Sequence, residues 1–281
     1  MKGLLLSIIL VEMLLTGCVR NIDKMTPSPK ISPEVTDRAD DTPGATESVT
    51  PTSTPLPTPS PTPISEPVTN VYQAVKRLVV AEKASHVFVV LQREKGPECD
   101  FYAFKRQGNE FVEVFNTVGL VGKNGIATIE EKHEGDYRTP AGIYTFGMCF
   151  GIKDDNGISP LGYTVVGEDD YWDSNPESDT YNQWIKKKDL PATYDKTKYE
   201  NLISKKGTYN YVAAINYNVD PIIKGKGSAI FLHCTREGSM LYTGGCIAIP
   251  EDKMLIALSM IYSDTYIVIA SSFDDLMTHV R

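Results

Sequence analysis

The hydropathy pattern divides the 281-residue chain into three parts. Leu4 to Leu15 is one apolar run interrupted by Ser7 and Glu12. From about Met25 to Pro67 large apolar side chains almost vanish and Pro, Thr and Ser take over. Beyond that, apolar residues return in short runs separated by Gly and Asp. Val71 to Lys83 has helical spacing, with Val71, Val75, Leu78 and Val79 on one side, and predicts a short packing helix. His86 to Gln92 reads as a buried strand, Asp100 to Arg106 as its partner and Phe111 to Val118 as a third, with Gln107-Gly108-Asn109 as the hairpin turn. Further strands are expected over Tyr144 to Phe150, Tyr163 to Val166, Tyr211 to Tyr217, Ala229 to His233 and Tyr266 to Ser271. Pro250 to Tyr262, with Glu251 and Asp252 in its first turn, reads as a helix. Many short strands and few helices predict a mostly-β fold, a sandwich or a barrel. Between Val166 and Tyr211 the chain is rich in Asp, Tyr, Trp and Lys and poor in aliphatics, which suits a loop or short helices over a cleft.

The ends define the domain plan. Residues 1–17 read as a signal peptide: Lys2 is the positive start, the apolar run follows, and Leu15-Thr16-Gly17-Cys18 is a small-residue cleavage site closed by cysteine. That order resembles a lipobox, in which Cys18 is diacylated and becomes the mature N-terminus; an ordinary secretory peptide cut elsewhere is the alternative. The run is too short for a permanent span, whereas two acyl chains on one cysteine suffice for stable anchoring in the membrane. Residues 18–67 are a Pro/Thr/Ser-rich linker that cannot bury enough surface to offset its ordering entropy, and disorder is expected. At about 3.1 Å per residue it reaches on the order of 100 Å. Residues 68–281 are long enough for one domain with a sizeable core. The expected location is therefore extracytoplasmic, lipid-anchored to the outer face of the membrane.

Charge narrows the partners. A formal net charge of -8, with no basic stripe interleaved with aromatics, argues against nucleic acid. The lysines concentrated between Lys186 and Lys226 read as a solvated face, with attraction of substrate carboxylates as the lesser reading. Of five cysteines, Cys18 is assigned to lipid and Cys246 to chemistry. Cys99, Cys149 and Cys234 allow at most one bridge in an exported protein: Cys99 with Cys149 is the pairing to test, and all three free is the alternative. Cys234 should point to the opposite face of its strand from His233, into the core.

The chemistry sits in Gly227-Ser228-Ala229-Ile230-Phe231-Leu232-His233-Cys234 followed by Thr243-Gly244-Gly245-Cys246-Ile247-Ala248-Ile249-Pro250. A histidine closes an apolar strand, and a dozen residues later a cysteine stands behind two glycines. Cysteine attacks as thiolate, and a nearby imidazole can take its proton. The glycines permit a tight turn in which N–H groups of Gly245 and Cys246 face a developing oxyanion, and Thr243 can brace the loop or the imidazole. His86, His133 and His279 lack a partner motif. A zinc site from His233, Cys234 and Cys246 has neither the close cysteine spacing nor a clear fourth ligand; no metal or organic cofactor is expected.

The pair His233 and Thr243-x-Gly245-Cys246 resembles the signature of the L,D-transpeptidase (YkuD-type) catalytic domain. Glu134-Gly135-Asp136-Tyr137-Arg138-Thr139-Pro140-Ala141-Gly142-Ile143-Tyr144 is similar to the segment that opens that domain. Tyr217-Asn218, Gly225-Lys226-Gly227-Ser228, Trp172-Asp173 and Tyr181-Asn182 look like landmarks of a clostridial-type branch, and the similarity runs in order over roughly 85 to 271. The resemblance implies a β-sandwich with the cysteine at one end of a sheet and a lid built from the 166–211 insertion. It also implies a Cys246 nucleophile, a His233 base, an oxyanion turn at Gly244 and Gly245, and peptidoglycan stem peptides as partners. Tyr217, Asn218, Trp172, Asp173, Tyr181 and Asn182 are implied to line or brace the cleft. In the wider family an arginine commonly stands two residues after the cysteine; here that place is Ala248, and Arg236 is the substitute to test. The implied activity is formation of 3→3 cross-links from tetrapeptide stems through a cysteine thioester with release of D-Ala. The alternatives are an L,D-carboxypeptidase, another cysteine peptidase of the wall, or a non-catalytic wall-binding lipoprotein.

Overall fold

The computed structural model describes residues 67–94, 96–236 and 238–281. The leader, Cys18 and the linker up to residue 66 lie outside the described residues. Strands β1 (His86–Gln92), β2 (Glu98–Gln107) and β3 (Glu110–Leu120) form an antiparallel meander whose two-residue turn has Gly108 at φ 60°. The continuous apolar run of β1 is explained by burial on both sides. Phe88 and Val90 enter the main core, while Val87 and Val89 enter a second cluster under two short helices, α1 (Val71–Val75) and α3 (Phe273–Met277). Alternation along β2 sends Ala103 to the first cluster and Phe104 to the second, and a register shift at this point lets β3 follow, with Phe115 in the first cluster and Phe111 in the second.

After a parallel two-residue pair, β4 (Ile126–Ala127) with β5 (Thr139–Pro140), come β6 (Gly142–Tyr144), β7 (Phe146–Gly151) and β8 (Tyr163–Val165). Three strands of the insertion, β9 (Asp170–Asp173), β10 (Gln183–Lys186) and β11 (Tyr199–Asn201), form a separate antiparallel sheet with β9 in the middle. The chain then returns through β12 (Val212–Ile215), β13 (Phe231–Cys234), β14 (Ile247–Ile249), helix α2 (Glu251–Ser259) and β15 (Thr265–Ala270). The large sheet has ten strands in the order β6-β15-β1-β2-β3-β14-β13-β12-β7-β8.

That order makes the sheet curl. β6 and β7 are the first and ninth strands of that order yet are joined by one residue, Thr145. The corner is fixed by Asn216, whose N–H donates to Thr145 O at 2.9 Å and whose Nδ2 donates to Thr145 Oγ1 at 2.8 Å. Phe88 of β1 and Phe146 of β7, six places apart in the sheet, meet edge-on at 5.8 Å. The two layers of the mostly-β sandwich are thus halves of a single sheet folded over one core, which Met254, Ala257 and Leu258 of α2 complete.

Several sequence expectations need correction. The first helix spans five residues rather than reaching Lys83, because Leu78 leaves it to pair with Val280. Tyr144–Phe150 is two strands, since the corner at Thr145 sends its halves to the first and ninth positions of the sheet. The insertion has the expected loops and short helical turns, Lys187–Asp189 and Leu202–Ser204, and adds a small three-stranded sheet that was not expected. Its aromatic residues alternate, Tyr171 to one cluster and Trp172 to another, as a pleated strand requires. Cys99 and Cys149 form no disulfide: they sit on β2 and β7, with four strands between, as buried free thiols. Cys234 is a free thiol of the main core, on the face expected of it.

Candidate active site

Strands β13 and β14 are parallel neighbours with Leu232 opposite Ile247 and His233 opposite Ala248. Cys246 stands one step before this register, across from Phe231. Side-chain alternation then sorts the residues: Leu232, Cys234, Ile247 and Ile249 face the main core, and Phe231, His233 and Cys246 share the other face. Beyond that face lies a cavity of about 940 Å³ lined by both His233 and Cys246. Cys246 keeps 9 % exposure as a residue of the cavity lining.

The histidine is oriented by the backbone. Its Nδ1 lies 2.9 Å from Cys234 O. A carbonyl can only accept, so Nδ1 carries the proton of the neutral ring and Nε2 keeps the lone pair. The Tyr209 ring packs against the imidazole at 5.5 Å between centroids. Burial holds His233 down to about 4, partly opposed by the Cys234 carbonyl and reinforced by the Lys205 charge. Burial likewise pushes the Cys246 thiol up to about 12, with Phe231 N–H pulling the other way. Both shifts run in the direction that favours a neutral thiol and a neutral imidazole in the resting site over an ion pair. The thiol donates to Ala229 O at 3.1 Å.

The turn before the cysteine is pinned by Thr243. Its hydroxyl accepts from Gly245 N–H at 3.1 Å and donates to Cys246 O at 2.6 Å. Thr139 Oγ1 approaches the same carbonyl at 3.3 Å. Gly245 has φ 145°, and a Cβ there would lie 3.0 Å from Arg138 O, so glycine is required. The N–H of Gly245 is engaged with Thr243, which corrects the expectation that it faces an oxyanion. Gly244 also lines the cavity, and its N–H has no hydrogen-bond partner among the described residues.

The lid residues brace this arrangement from outside. Trp172 packs edge-on against Phe231 at 4.8 Å and donates from Nε1 to Asn182 Oδ1 at 3.1 Å. The same oxygen accepts from Ala229 N–H at 3.0 Å, while Asn182 Nδ2 donates to Tyr217 O at 3.3 Å and Asn218 O at 2.8 Å. Asn182 thus grips Ala229, a non-glycine residue at φ 51° whose carbonyl holds the thiol. Asp173 is fully buried and accepts from Asn175 N–H and Thr180 Oγ1 within its own turn. Tyr181 donates to Glu134 Oε2 at 2.5 Å and accepts from Gly227 N–H at 3.0 Å. Tyr217 donates to Lys226 O, and Asn218 clasps the 218–227 loop through Ile223 and Gly227. These residues brace the cavity; the lining itself includes none of them.

Arg236 is exposed beside Gly207 and does not line the cavity. Ala248 is fully buried between β3 and β13 and leaves no cation on the strand. Other residues at the site were given no role by the sequence. Glu134 and Ser228, bonded to each other at 2.8 Å, stood inside recognised motifs. Tyr209, Glu200 and Lys205 carry no local signature: Tyr209 Oη donates to Glu200 Oε2 at 3.0 Å, and Lys205 Nζ meets Glu200 Oε1 at 2.8 Å.

A thiol and an imidazole side by side on adjacent parallel strands within a curled sheet, facing a cavity lined in part by the insertion, define a cysteine–histidine site on a mostly-β scaffold. The sequence model of the L,D-transpeptidase catalytic domain (YkuD) matches residues 97–269, and the chain belongs to this family. Enzymes with this domain are cysteine-dependent transpeptidases. Among solved structures, Bd1075 of Bdellovibrio bacteriovorus is similar at 16% identity and a TM-score of 0.38, covering 70% of this chain and 53% of that one. The L,D-transpeptidase from Stackebrandtia nassauensis is similar at 11% identity and 0.31, covering 68% and 57%. That from Mycobacterium smegmatis is similar at 14% and 0.32, covering 67% and 59%. The chain thus spans between half and three fifths of the length of these structures. No curated protein matches the sequence.

Proposed function

We propose that the protein is a peptidoglycan L,D-transpeptidase that forms 3→3 cross-links through a thioester on Cys246. The observation that carries this reading is the shared sheet face of Cys246 and His233, with His233 Nε2 left as the basic nitrogen. Because both groups rest neutral, the thiol must leave Ala229 O and pass its proton to Nε2 as sulfur attacks. The carbonyl attacked joins the third, L-centred stem residue to the terminal D-Ala. N–H groups of Gly244 and Cys246 serve the oxyanion, with Thr243 and Gly245 holding the turn. The imidazolium returns the proton to the amine of D-Ala, the C–N bond breaks, and the thioester remains. The side-chain amine of a neighbouring stem then attacks, His233 takes its proton, and Cys246 is regenerated as the 3→3 bond forms. Trp172, Asp173, Tyr181, Asn182, Tyr217 and Asn218 act in this scheme as braces.

The same proposal includes the anchor. Cys18 carries the lipid, residues 18–67 reach into the wall, and residues 68–281 work there, outside the membrane. The test incubates the full chain with a disaccharide-tetrapeptide and follows products and protein by mass spectrometry. The expected result is a cross-linked dimer formed with loss of one D-Ala, absent with Cys246→Ala in a variant matched by circular dichroism. Tripeptide alone would identify a carboxypeptidase and overturn the transfer step; turnover retained by Cys246→Ala would overturn the nucleophile.

A further inference from the structure

Any anionic group entering the cavity meets few cations. Lys132 is buried in an ion pair with Asp136 at 2.8 Å, its side chain 3% exposed. Arg138 aims its guanidinium away, at Glu131 Oε2 and Ile126 O. Arg236 lies outside the lining, and His233 is neutral. Among the described residues, the cationic side chains that line the cavity are Lys196 and Lys205, both from the insertion. The carboxylates of the lining are Glu200, which faces Lys205, and Glu134, whose Oε2 accepts from both Tyr181 and Ser228.

The two lysines are not equivalent. Lys196 lies in an exposed segment, whereas Lys205 caps a 3-10 turn, Leu202–Ser204, whose Leu202 is fully buried in the cluster that contains Cys246. Lys205 O accepts from Tyr209 N–H at 2.8 Å, tying the lysine to the residue packed on His233. Its ammonium has three N–H donors, one directed at Glu200, and its side chain is 45% exposed. Its charge is felt at both His233 and Cys246.

We propose that Lys205 is a carboxylate-binding site on the lid, which receives the free α-carboxylate of the peptide residue expelled from Cys246. The ligand's identity rests on the transpeptidase reading; the anion site does not. In that scheme His233 protonates the departing amine, and the carboxylate one carbon away falls beside the lysine that neighbours the histidine. Glu200 holds Lys205 in place between turnovers while two of its donors stay available.

Two measurements on the full chain test this. The first compares alkylation of Cys246 by anionic iodoacetate and neutral iodoacetamide, read on the Cys246 peptide by mass spectrometry. In Lys205→Gln the iodoacetate-to-iodoacetamide rate ratio should fall about threefold, recover in Lys205→Arg, and rise in Glu200→Gln, with the differences shrinking at high salt. A ratio unchanged in Lys205→Gln, or one that falls in Lys196→Gln instead, overturns the site. The second compares a tetrapeptide donor with the same donor amidated at its terminal carboxylate. Lys205→Gln should raise KM for the free acid about tenfold and erase the preference over the amide. Preference retained in Lys205→Gln, or no turnover of either donor by the parent protein, overturns the ligand's identity, and the alkylation ratio still decides the anion site.

Discussion

Replacing Asn182 by alanine tests the coupling between lid and nucleophile. The side chain is 6% exposed and makes four hydrogen bonds, to Trp172 Nε1, Ala229 N, Tyr217 O and Asn218 O. Truncation strands two donors and two acceptors. A buried group left unpaired costs about 1–3 kcal/mol, and water entering the vacated space recovers part of it. Asn182 also sits at φ 60°, where exchanging asparagine for alanine costs about 1 kcal/mol more. The net expectation is a loss of about 3–5 kcal/mol, a large share of a typical domain's stability. Urea unfolding should show a midpoint lowered by roughly 1–2 M with an unchanged slope. Asn182→Asp retains both acceptor bonds to Trp172 and Ala229 but sets a carboxylate against two carbonyl oxygens, and should also be destabilised. In the alanine variant Ala229 loses its restraint, so Cys246 should alkylate faster under native conditions. A stability loss below about 1 kcal/mol in Asn182→Ala would refute the reasoning, because among the described residues the Trp172 indole and the Ala229 N–H have no other partner.

With the Cys246 thiol pushed up to about 12, its alkylation rate in the free protein should climb about tenfold per pH unit from pH 6 to 9; a plateau near pH 7 would mean a resting thiolate–imidazolium pair. His233 is held down to about 4 in the fold against about 6.5 when unfolded. The unfolded chain therefore binds the extra proton between those values, so its contribution is full above about pH 6.5 and is lost as pH falls towards 4, by on the order of 3 kcal/mol. The pH slope of unfolding free energy in that window should flatten in His233→Gln, and an unchanged slope would contradict the burial argument. Gly245→Ala forces a side chain onto φ 145° and to 3.0 Å from Arg138 O. It should lower the thermal midpoint and suppress acylation of Cys246 together, by about 2 kcal/mol or more in stability; an unperturbed midpoint would contradict the geometry.

The elements legible in advance are those whose local pattern and tertiary setting agree. The β2–β3 hairpin has alternating burial and a glycine at φ 60°, so period and turn chemistry both announce it. Helix α2 has Pro250 at its cap and two acidic residues in its first turn. Tyr144–Phe150 misled because no glycine or proline marks Thr145; the corner is imposed by Asn216, seventy-one residues away. The lid strands are three or four residues long and their partners are mutual, so alternation had too little length to register. At the site, Cys246 and His233 were legible because one strand end and one glycine turn suffice to flag them. Which N–H groups remain free was not, since the Thr243 hydroxyl claims Gly245 only in three dimensions. Arg236 was nominated by proximity in sequence, but the bend after β13 carries it away from the cavity. Lys205 lies forty-one positions before Cys246 and reaches it only because Leu202 anchors its turn in the same cluster.

The parallel pairing of β13 and β14 has a consequence for how this site can diversify. The separation of His233 and Cys246 is set by the spacing of two hydrogen-bonded strands, and their common orientation by register, so the connection between them is not a structural ruler. The connection runs through residues 238–242 before it reaches the second strand, with Met240 and Tyr242 in the cavity lining and Leu241 76% exposed. That segment can lengthen, shorten or change composition while the reacting atoms stay put. The scaffold separates the part that does the chemistry from a part that can be rewritten to meet different molecules at the rim, and a library of loop lengths here would sample specificity without resampling catalysis.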